Sequence, residues 1–568
     1  MTQDQPATAA GRLSAGELAA LVSILAIFVC VLVALAWEVG VTVDEPSHLV
    51  SAHLYWEGKD RLAPYDMPPA IKIAGGWVSH LTGVQLPART DAIWKDNHEW
   101  QVALRLMESM KADQIRRTFF LSRLPMIVFP VGCAAVIWWW TRQLFGKPAA
   151  LVSTALFTLS PTVLAHGMLF KNDLAASLGL LLVCYTGWRY AAQPGRGTLS
   201  GFALAAGFAL LTKLSMLAVT ALVPLFLAGV AWKRGMDWRS YGRHLGILVA
   251  VIYAMIVVLW PGRITVLPRA EWAGIRAMDL PWHFTAIMSV LRFVPLPRMF
   301  WHGVAAVAQS DASGVGVYLL GNVYPQGHPL YFFIAWAVKI PVAVQAMVLL
   351  GLAFWGWRWF RKRTATDAFW LLPAALYMGL ASMSSLQLGI RLVLPAIVCS
   401  WMSASRGLQW VTARRWSHFA VAALLTWQAT RTAIRYPDYI AYFNLWVGGP
   451  EQGIRYLSDS NLDWGQGLHA LREYLDRNGV KKVSVFYFGN DNAWQQLREE
   501  RLEMKAAPWT PQHVQEKVYQ PEAGLYAVSA TFLTGQLFQR EYRDYFRRFR
   551  ERKPEAVVAG SIHIYRVE

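Results

Sequence analysis

The chain of 568 residues is 55% hydrophobic and only 16% charged, and carries a formal net charge of +18. Its repeated apolar runs each match a hydrocarbon layer of ~30 Å, which excludes an ordinary soluble fold and implies a polytopic α-helical membrane protein. Much of the basic excess falls in short loops between those runs, so it reports orientation and not a nucleic-acid partner.

In chain order, residues 1–10 read as a disordered start and 1–16 as a cytoplasmic N-terminus. The first apolar run, 17–37, is long for a signal sequence and lacks a small-residue cleavage site, so it reads as a retained helix. Candidate spans lie at 18–37, 119–140, 149–165, 174–188, 199–211, 214–232, 244–260, 331–357, 368–384, 391–404 and 417–430, about 11 transmembrane helices. One helix over 199–232 would be ~50 Å long at 1.5 Å per residue, too long to span without extreme tilt. A break near Lys213 solves this and gathers five basic loops on one face: Arg142 with Lys147, Arg189 with Arg196, Lys233 to Arg243, Arg358 to Arg363, and Arg406 to Arg415. That face is cytoplasmic by the positive-inside rule.

The same assignment places loop 38–118, loop 261–330 and everything after about 431 on the other face. Within the first loop, 69–81 is amphipathic and suits the interface. Residues 432–568 gain charge and lose long apolar runs, and predict an extracytoplasmic α/β domain. Its expected helices are 464–476 and 538–551, and its expected strands 482–488, 525–529 and 561–567. Cys30, Cys133, Cys184 and Cys399 all lie in apolar runs, without a disulfide framework or metal-type spacing. No internal repeat is evident.

Adjacent acids, Asp44 and Glu45, stand just beyond the first apolar run. Acids at the mouth of a span lose solvation when a bundle closes over them, so they are kept mainly where they serve a function. Asp173, Lys213 and Arg391 come from distant sequence positions but share their membrane face. Lys339 lies inside an apolar run before Pro341, where an unpaired charge is costly. Sugar transfer needs a base for a hydroxyl, stabilisation of a departing phosphate, and exclusion of water. Asp44 suits the first task, and lysine or arginine the second. With no Gly-rich phosphate loop and no large cytoplasmic region, a donor carried on a lipid phosphate is expected. Simpler readings stand beside these: Asp44 and Asp173 as helix caps, Lys213 and Arg391 as snorkelling residues, His48 and His53 as interface residues, Asp459 and Asp463 as turn organisers. A transporter or flippase of lipid-linked or amphipathic solutes is the alternative function, since transport pathways also use intramembrane charge.

Several segments carry a family resemblance: Asp44-Glu45 followed by His48; 65–72 with Pro68-Pro69 and Lys72; Asn172-Asp173; Leu211-Thr212-Lys213; Ile390-Arg391-Leu392-Val393-Leu394-Pro395; and Asp459-Ser460-Asn461-Leu462-Asp463-Trp464-Gly465-Gln466. Together they resemble the GT-C superfamily of polyprenyl-phosphate-dependent glycosyltransferases. The nearest likeness is to bacterial members of the protein mannosyltransferase and lipid A aminoarabinose transferase group, of glycosyltransferase family 39 type. One departure is Leu392, where that group usually has tyrosine or histidine after the arginine.

The resemblance implies a GT-C transmembrane domain over 17–431 in a bacterial inner membrane, with its active site and the domain 432–568 on the extracytoplasmic side. It implies inverting transfer with Asp44 as base, Glu45 and Asp173 positioning acceptor or metal, and Lys72, Lys213 and Arg391 near the donor phosphate. Lys339 is grouped with these phosphate-binding candidates, and His48, Asp459 and Asp463 with substrate binding. Expected partners are a polyprenyl-phosphate sugar donor, an acceptor lipid, glycan or protein, and membrane lipids. The sequence requires no cofactor; because GT-C enzymes differ in metal use, a divalent metal stays open.

Overall fold

The computed structural model describes residues 13–58, 67–94, 99–278, 280, 282–362, 366–412, 417–497, 502–505 and 516–568. The expected disordered start 1–10, the segment 59–66 that includes Tyr65, and the loop residues Arg363, Arg414 and Arg415 lie outside the described residues.

Each of the eleven predicted apolar segments is helical. Among the described residues, five helices are long and apolar enough to cross a membrane: Ala15–Glu38, Ala112–Phe145, Leu214–Lys233, Trp238–Leu259 and Val342–Arg361. Lys147–Thr158 and Pro161–Gly167 add a sixth if taken as one span bent by 60°. The bend falls where Pro161 has no amide hydrogen to continue the helical ladder. Asp173–Ala192 packs against Arg196–Thr212 and Leu394–Thr412 inside the bundle. Small residues permit that approach: Gly179 lies against Ala209, and Gly351 and Gly407 meet the backbone of the opposite helix between Val342–Lys362 and Leu394–Thr412.

The predicted break at Lys213 is present, with that residue extended (φ −158°, ψ 134°) between Arg196–Thr212 and Leu214–Met216. The expected single segment 331–357 is instead divided into Tyr331–Lys339 and Val342–Lys362. Ile340, which precedes Pro341, is extended as sterics at a pre-proline position favour. The carbonyls freed there find side-chain donors: Gln345 Nε2 bonds Trp336 and Ala337, and Asn444 Nδ2 bonds Ala337 and Ile340. Broken helices survive at membrane depth only with such replacement partners.

The C-terminal region contains a five-stranded mixed sheet in the spatial order Leu502–Met504, Val483–Phe486, Gly524–Ser529, Ile562–Val567, Ala556–Val558. The first three are parallel and the last two run antiparallel to their neighbours. Predicted strands at 482–488, 525–529 and 561–567 are thus observed, and the short strands 502–504 and 556–558 were not anticipated. Helix Leu468–Arg477 buries Leu468, Leu471 and Leu475, at helical spacing, in the same core as Val483, Val485 and Ile564. The expected charged helix 538–551 is corrected to a turn at Arg540–Tyr542 and a single turn Arg547–Arg550. Phe538, Phe546 and Phe549 are drawn into an aromatic core with Phe486 and Phe532, and this packing overrides helical propensity.

Two polar ends bracket the apolar bundle. At one, Glu17 pairs with Arg142 (3.0 Å) and Lys147 (3.0 Å), and buried Asp367 holds Arg406 through three hydrogen bonds of 2.8–3.0 Å. Removing one member of a buried pair strands the other charge, at a cost of about 3–5 kcal/mol. Asp367→Ala is therefore expected to lower the thermal unfolding midpoint in detergent clearly, whereas Glu473→Ala, at an exposed i,i+4 pair with Arg477, leaves it within experimental error.

Candidate active site

At the other end the chain collects its functional candidates around the exit of helix Ala15–Glu38. Arg123 is the organiser. Its fully buried guanidinium donates to the carbonyls of Ala36 (3.0 Å), Val39 (2.7 Å) and Gly40 (2.8 Å), capping that helix. The same group forks onto Glu45, Nε to Oε1 at 2.8 Å and Nη2 to Oε2 at 2.7 Å. Glu45 also accepts from Thr42 N (2.9 Å), Thr42 Oγ1 (3.1 Å) and Phe170 N (2.9 Å). A carboxylate with five donors and no exposure is an anchor. Glu45, expected from the resemblance to position acceptor or metal, is here bound to Arg123.

Asp44, next in the chain, is turned the other way. Its carboxylate forms an ion pair with Lys171 and a second with Arg391 at 3.3 Å. Arg391 reaches Asp173 at 3.9 Å, and Asp173 is held by Lys213 at 2.7 Å. Lys171 also lies 3.3 Å from His48 Nε2. Asp44, Asp173, Lys213 and Arg391 therefore meet in one network, contributed by the N-cap of helix Glu45–Trp56, the start of Asp173–Ala192, the break at Lys213 and the turn Ile390–Val393. Trp464 forms its floor, with Arg391 4.4 Å and Lys171 5.4 Å from the ring centroid.

Burial alone would raise the Asp44 carboxyl, but Lys171 and Arg391 outweigh it and hold the acid below the usual carboxylate range. Burial, reinforced by Lys171, pushes His48 well below its ordinary value, so it is neutral and can accept a hydrogen bond from the lysine ammonium. The network sets three cations, Lys171, Lys213 and Arg391, against two carboxylates. Asp459 faces the same cations from the segment 459–466, and lysine and arginine gathered in a buried pocket suit an anion.

Of the other candidates, Asp459 lies within electrostatic reach of Arg391, Asp44 and Lys171. Lys339 is buried, and its ammonium donates to the carbonyls of Ile440 (2.8 Å) and Asn461 (2.5 Å) while lying over Phe443. These bonds tie two backbone segments together. Lys72 is buried on the helix Pro69–Gly75, where its carbonyl accepts the Trp56 indole N–H at 2.8 Å. Asp463 accepts from the amides of Thr531 (3.1 Å) and Gly465 (3.4 Å), and Asp459 turns back onto the Ser460 amide. Both carboxylates thus help organise the turns that carry them.

The segment 459–466 instead works as a seam. Arg391 Nε donates to Ser460 Oγ (3.0 Å), Ile390 N to Asn461 Oδ1 (2.9 Å), Val43 N to Trp464 O (2.9 Å) and Gly40 N to Gln466 O (3.1 Å). Gly465, at φ +86°, brings the seam within contact of Gly489 and Tyr487, where no side chain fits. Among the described residues, no three His, Cys, Asp or Glu side chains converge as metal ligands. Asp44 and His48 both contact the Lys171 ammonium.

Arg123, Lys171 and Trp464 did not emerge from sequence as site residues. Arg123 stands inside a predicted span, the same signal that singled out Lys339.

Residues 115–260 match the family described as dolichyl-phosphate-mannose-protein mannosyltransferase, a stretch that contains Arg123, Lys171, Asp173 and Lys213. This agrees with the superfamily resemblance carried by the sequence motifs. No curated protein matches the sequence. Among solved structures, ArnT from Cupriavidus metallidurans in the apo state aligns at 13% identity and a TM-score of 0.45, covering 97% of this chain and 98% of that one. The same protein bound to undecaprenyl phosphate aligns at 12% and 0.44. The oligosaccharyltransferase AglB from Archaeoglobus fulgidus, in complex with an inhibitory peptide and a dolichol-phosphate, aligns at 13% and 0.44, covering 86% of this chain and 65% of that one.

Two outcomes follow from the geometry. Glu45→Gln removes the charge that Arg123 is built around, so it lowers both the unfolding midpoint and activity, by about 3–5 kcal/mol of stability; unchanged melting would show that the clamp is dispensable. Burial pushes Asp463 up from 3.8 to about 7. The native chain then holds a proton that the unfolded chain has lost, so this group's contribution is full at low pH and is lost as pH rises to about 7. Melting curves at pH 5 and pH 8 should differ less in Asp463→Asn than in the wild type.

Proposed function

We propose that this protein is an inverting membrane glycosyltransferase that takes a sugar from a polyprenyl phosphate and passes it to an acceptor hydroxyl on the extracytoplasmic face of a bacterial inner membrane. The observation that carries this reading is the Asp44–Lys171–Arg391–Asp173–Lys213 network, in which a carboxylate sits among cations over an indole floor. The family match over residues 115–260 supports it. Charge supports the sidedness in this reading, since the basic residues Arg142, Lys147, Arg234 and Arg406 lie at the end of the bundle opposite this network.

The acceptor oxygen attacks the anomeric carbon as the bond from that carbon to the phosphate oxygen breaks. The bonding pair leaves with the polyprenyl phosphate, whose charge grows by one unit, and the acceptor proton passes to Asp44. Arg391 and Lys171 stabilise the growing charge. Lys213 holds Asp173, which in turn braces Arg391. In the unliganded chain the two cations are occupied by Asp44 itself, which makes that carboxylate a weak base. An arriving phosphate competes for the same cations and so restores basicity to Asp44 when a donor is present.

Asp44→Asn keeps shape and removes the base. Transfer from a polyprenyl-phosphate sugar is expected to fall by about 10²–10⁴, with binding of undecaprenyl phosphate retained or tightened because a competing anion is gone. Arg391→Ala should instead weaken that binding. A wild-type transfer rate in purified Asp44→Asn protein would overturn the base assignment.

A further inference from the structure

The C-terminal sheet has a feature that the transfer network does not use. From the parallel strand Val483–Phe486 the chain next forms Leu502–Met504 on one side and then Gly524–Ser529 on the other. The carboxyl end of Val483–Phe486 is therefore a point where the connections part in opposite directions. In open α/β sheets, ligands bind in the crevice outside strand carboxyl ends at such a point.

A crevice of about 470 Å³ is present there, lined among others by Val43, Trp100, Tyr487, Phe488, Asn490 and Leu537. This is within the volume range of small-molecule sites. Its wall is held rigidly. Phe488 N donates to Ser529 Oγ (3.0 Å), the Tyr487 hydroxyl to Gly465 O (2.7 Å), and Asn490 Nδ2 to Val43 O (2.7 Å). Val43 immediately precedes Asp44, and Gly465 immediately follows Trp464, so the crevice adjoins the transfer network through both.

We infer that this crevice is the acceptor subsite and that it takes a saccharide ring. Three aromatic residues with an amide and backbone polar groups fit a ligand that has apolar C–H faces and a hydroxyl rim. A peptide acceptor would favour an open strand edge, whereas Val483–Phe486 is paired on both sides and offers only its end. This inference rests on the glycosyltransferase reading and deepens it by naming the acceptor class.

The test uses the full-length protein in lipid nanodiscs and a set of methyl glycosides of common hexoses and N-acetylhexosamines as probes, read by saturation-transfer NMR. Wild type and Asp44→Asn are expected to transfer saturation to the ring protons of at least one glycoside. Phe488→Ala and Trp100→Ala should each reduce that signal by about tenfold while binding undecaprenyl phosphate as the wild type does, and Phe488→Tyr should restore it. No glycoside signal in the wild type, or an equal signal in Phe488→Ala and Trp100→Ala, overturns the subsite. Loss of undecaprenyl phosphate binding in Arg391→Ala is scored separately, so the phosphate reading and the saccharide reading stand or fall apart.

Discussion

A guanidinium taken out of water must find acceptors for all its donors inside the protein, and in this chain Arg123 finds them at the exit of the first helix. It takes the carbonyl of Ala36 in the last turn of Ala15–Glu38, those of Val39 and Gly40 just beyond it, and both oxygens of Glu45. The gain from the pair itself is modest against the cost of dehydrating two charges, but breaking it is expensive. Such a clamp mainly fixes geometry. Because Glu45 cannot turn away from Arg123, Asp44 must present its carboxylate in the opposite direction, toward Lys171 and Arg391. Two adjacent acids of the same chemical type thereby acquire different tasks.

The network around Asp44 follows the same logic of compensation. Its cations, Lys171, Lys213 and Arg391, are held by Asp44 and Asp173, with Asp459 in electrostatic reach. Under the proposed transfer, the weakness of Asp44 as a base in the unliganded chain would act as a safeguard: without donor phosphate to occupy the cations, the carboxylate would lack the affinity to activate a passing water.

Much of this was legible in the sequence because hydrophobic runs and their interruptions are local properties. The helices, the break at Lys213 and the gathering of residues 44, 173, 213 and 391 at one end all follow from run length and loop charge. The partner of Glu45 was not legible. Arg123 lies 78 positions away, and only tertiary packing brings the two together. Lys339 shows the same limit from the other side: its buried charge was noticed, but backbone carbonyls 101 and 122 positions away neutralise its cost. The stretch 538–551 has helical spacing, yet its aromatic residues are more stable in a shared core than along one helix.

The seam at 459–466 joins by main-chain bonds to Gly40 and Val43, and Asn490 returns a bond to Val43. The last quarter of the polypeptide is thus stitched to the segment that carries Asp44, as a door jamb is fixed to its wall. Hybrid proteins that exchange this quarter between relatives would inherit a mismatched joint unless residues 40–43 and 464–466 were moved as a set. Natural variation at the two strips is accordingly expected to be correlated, since a backbone shift on one side displaces the acid on the other.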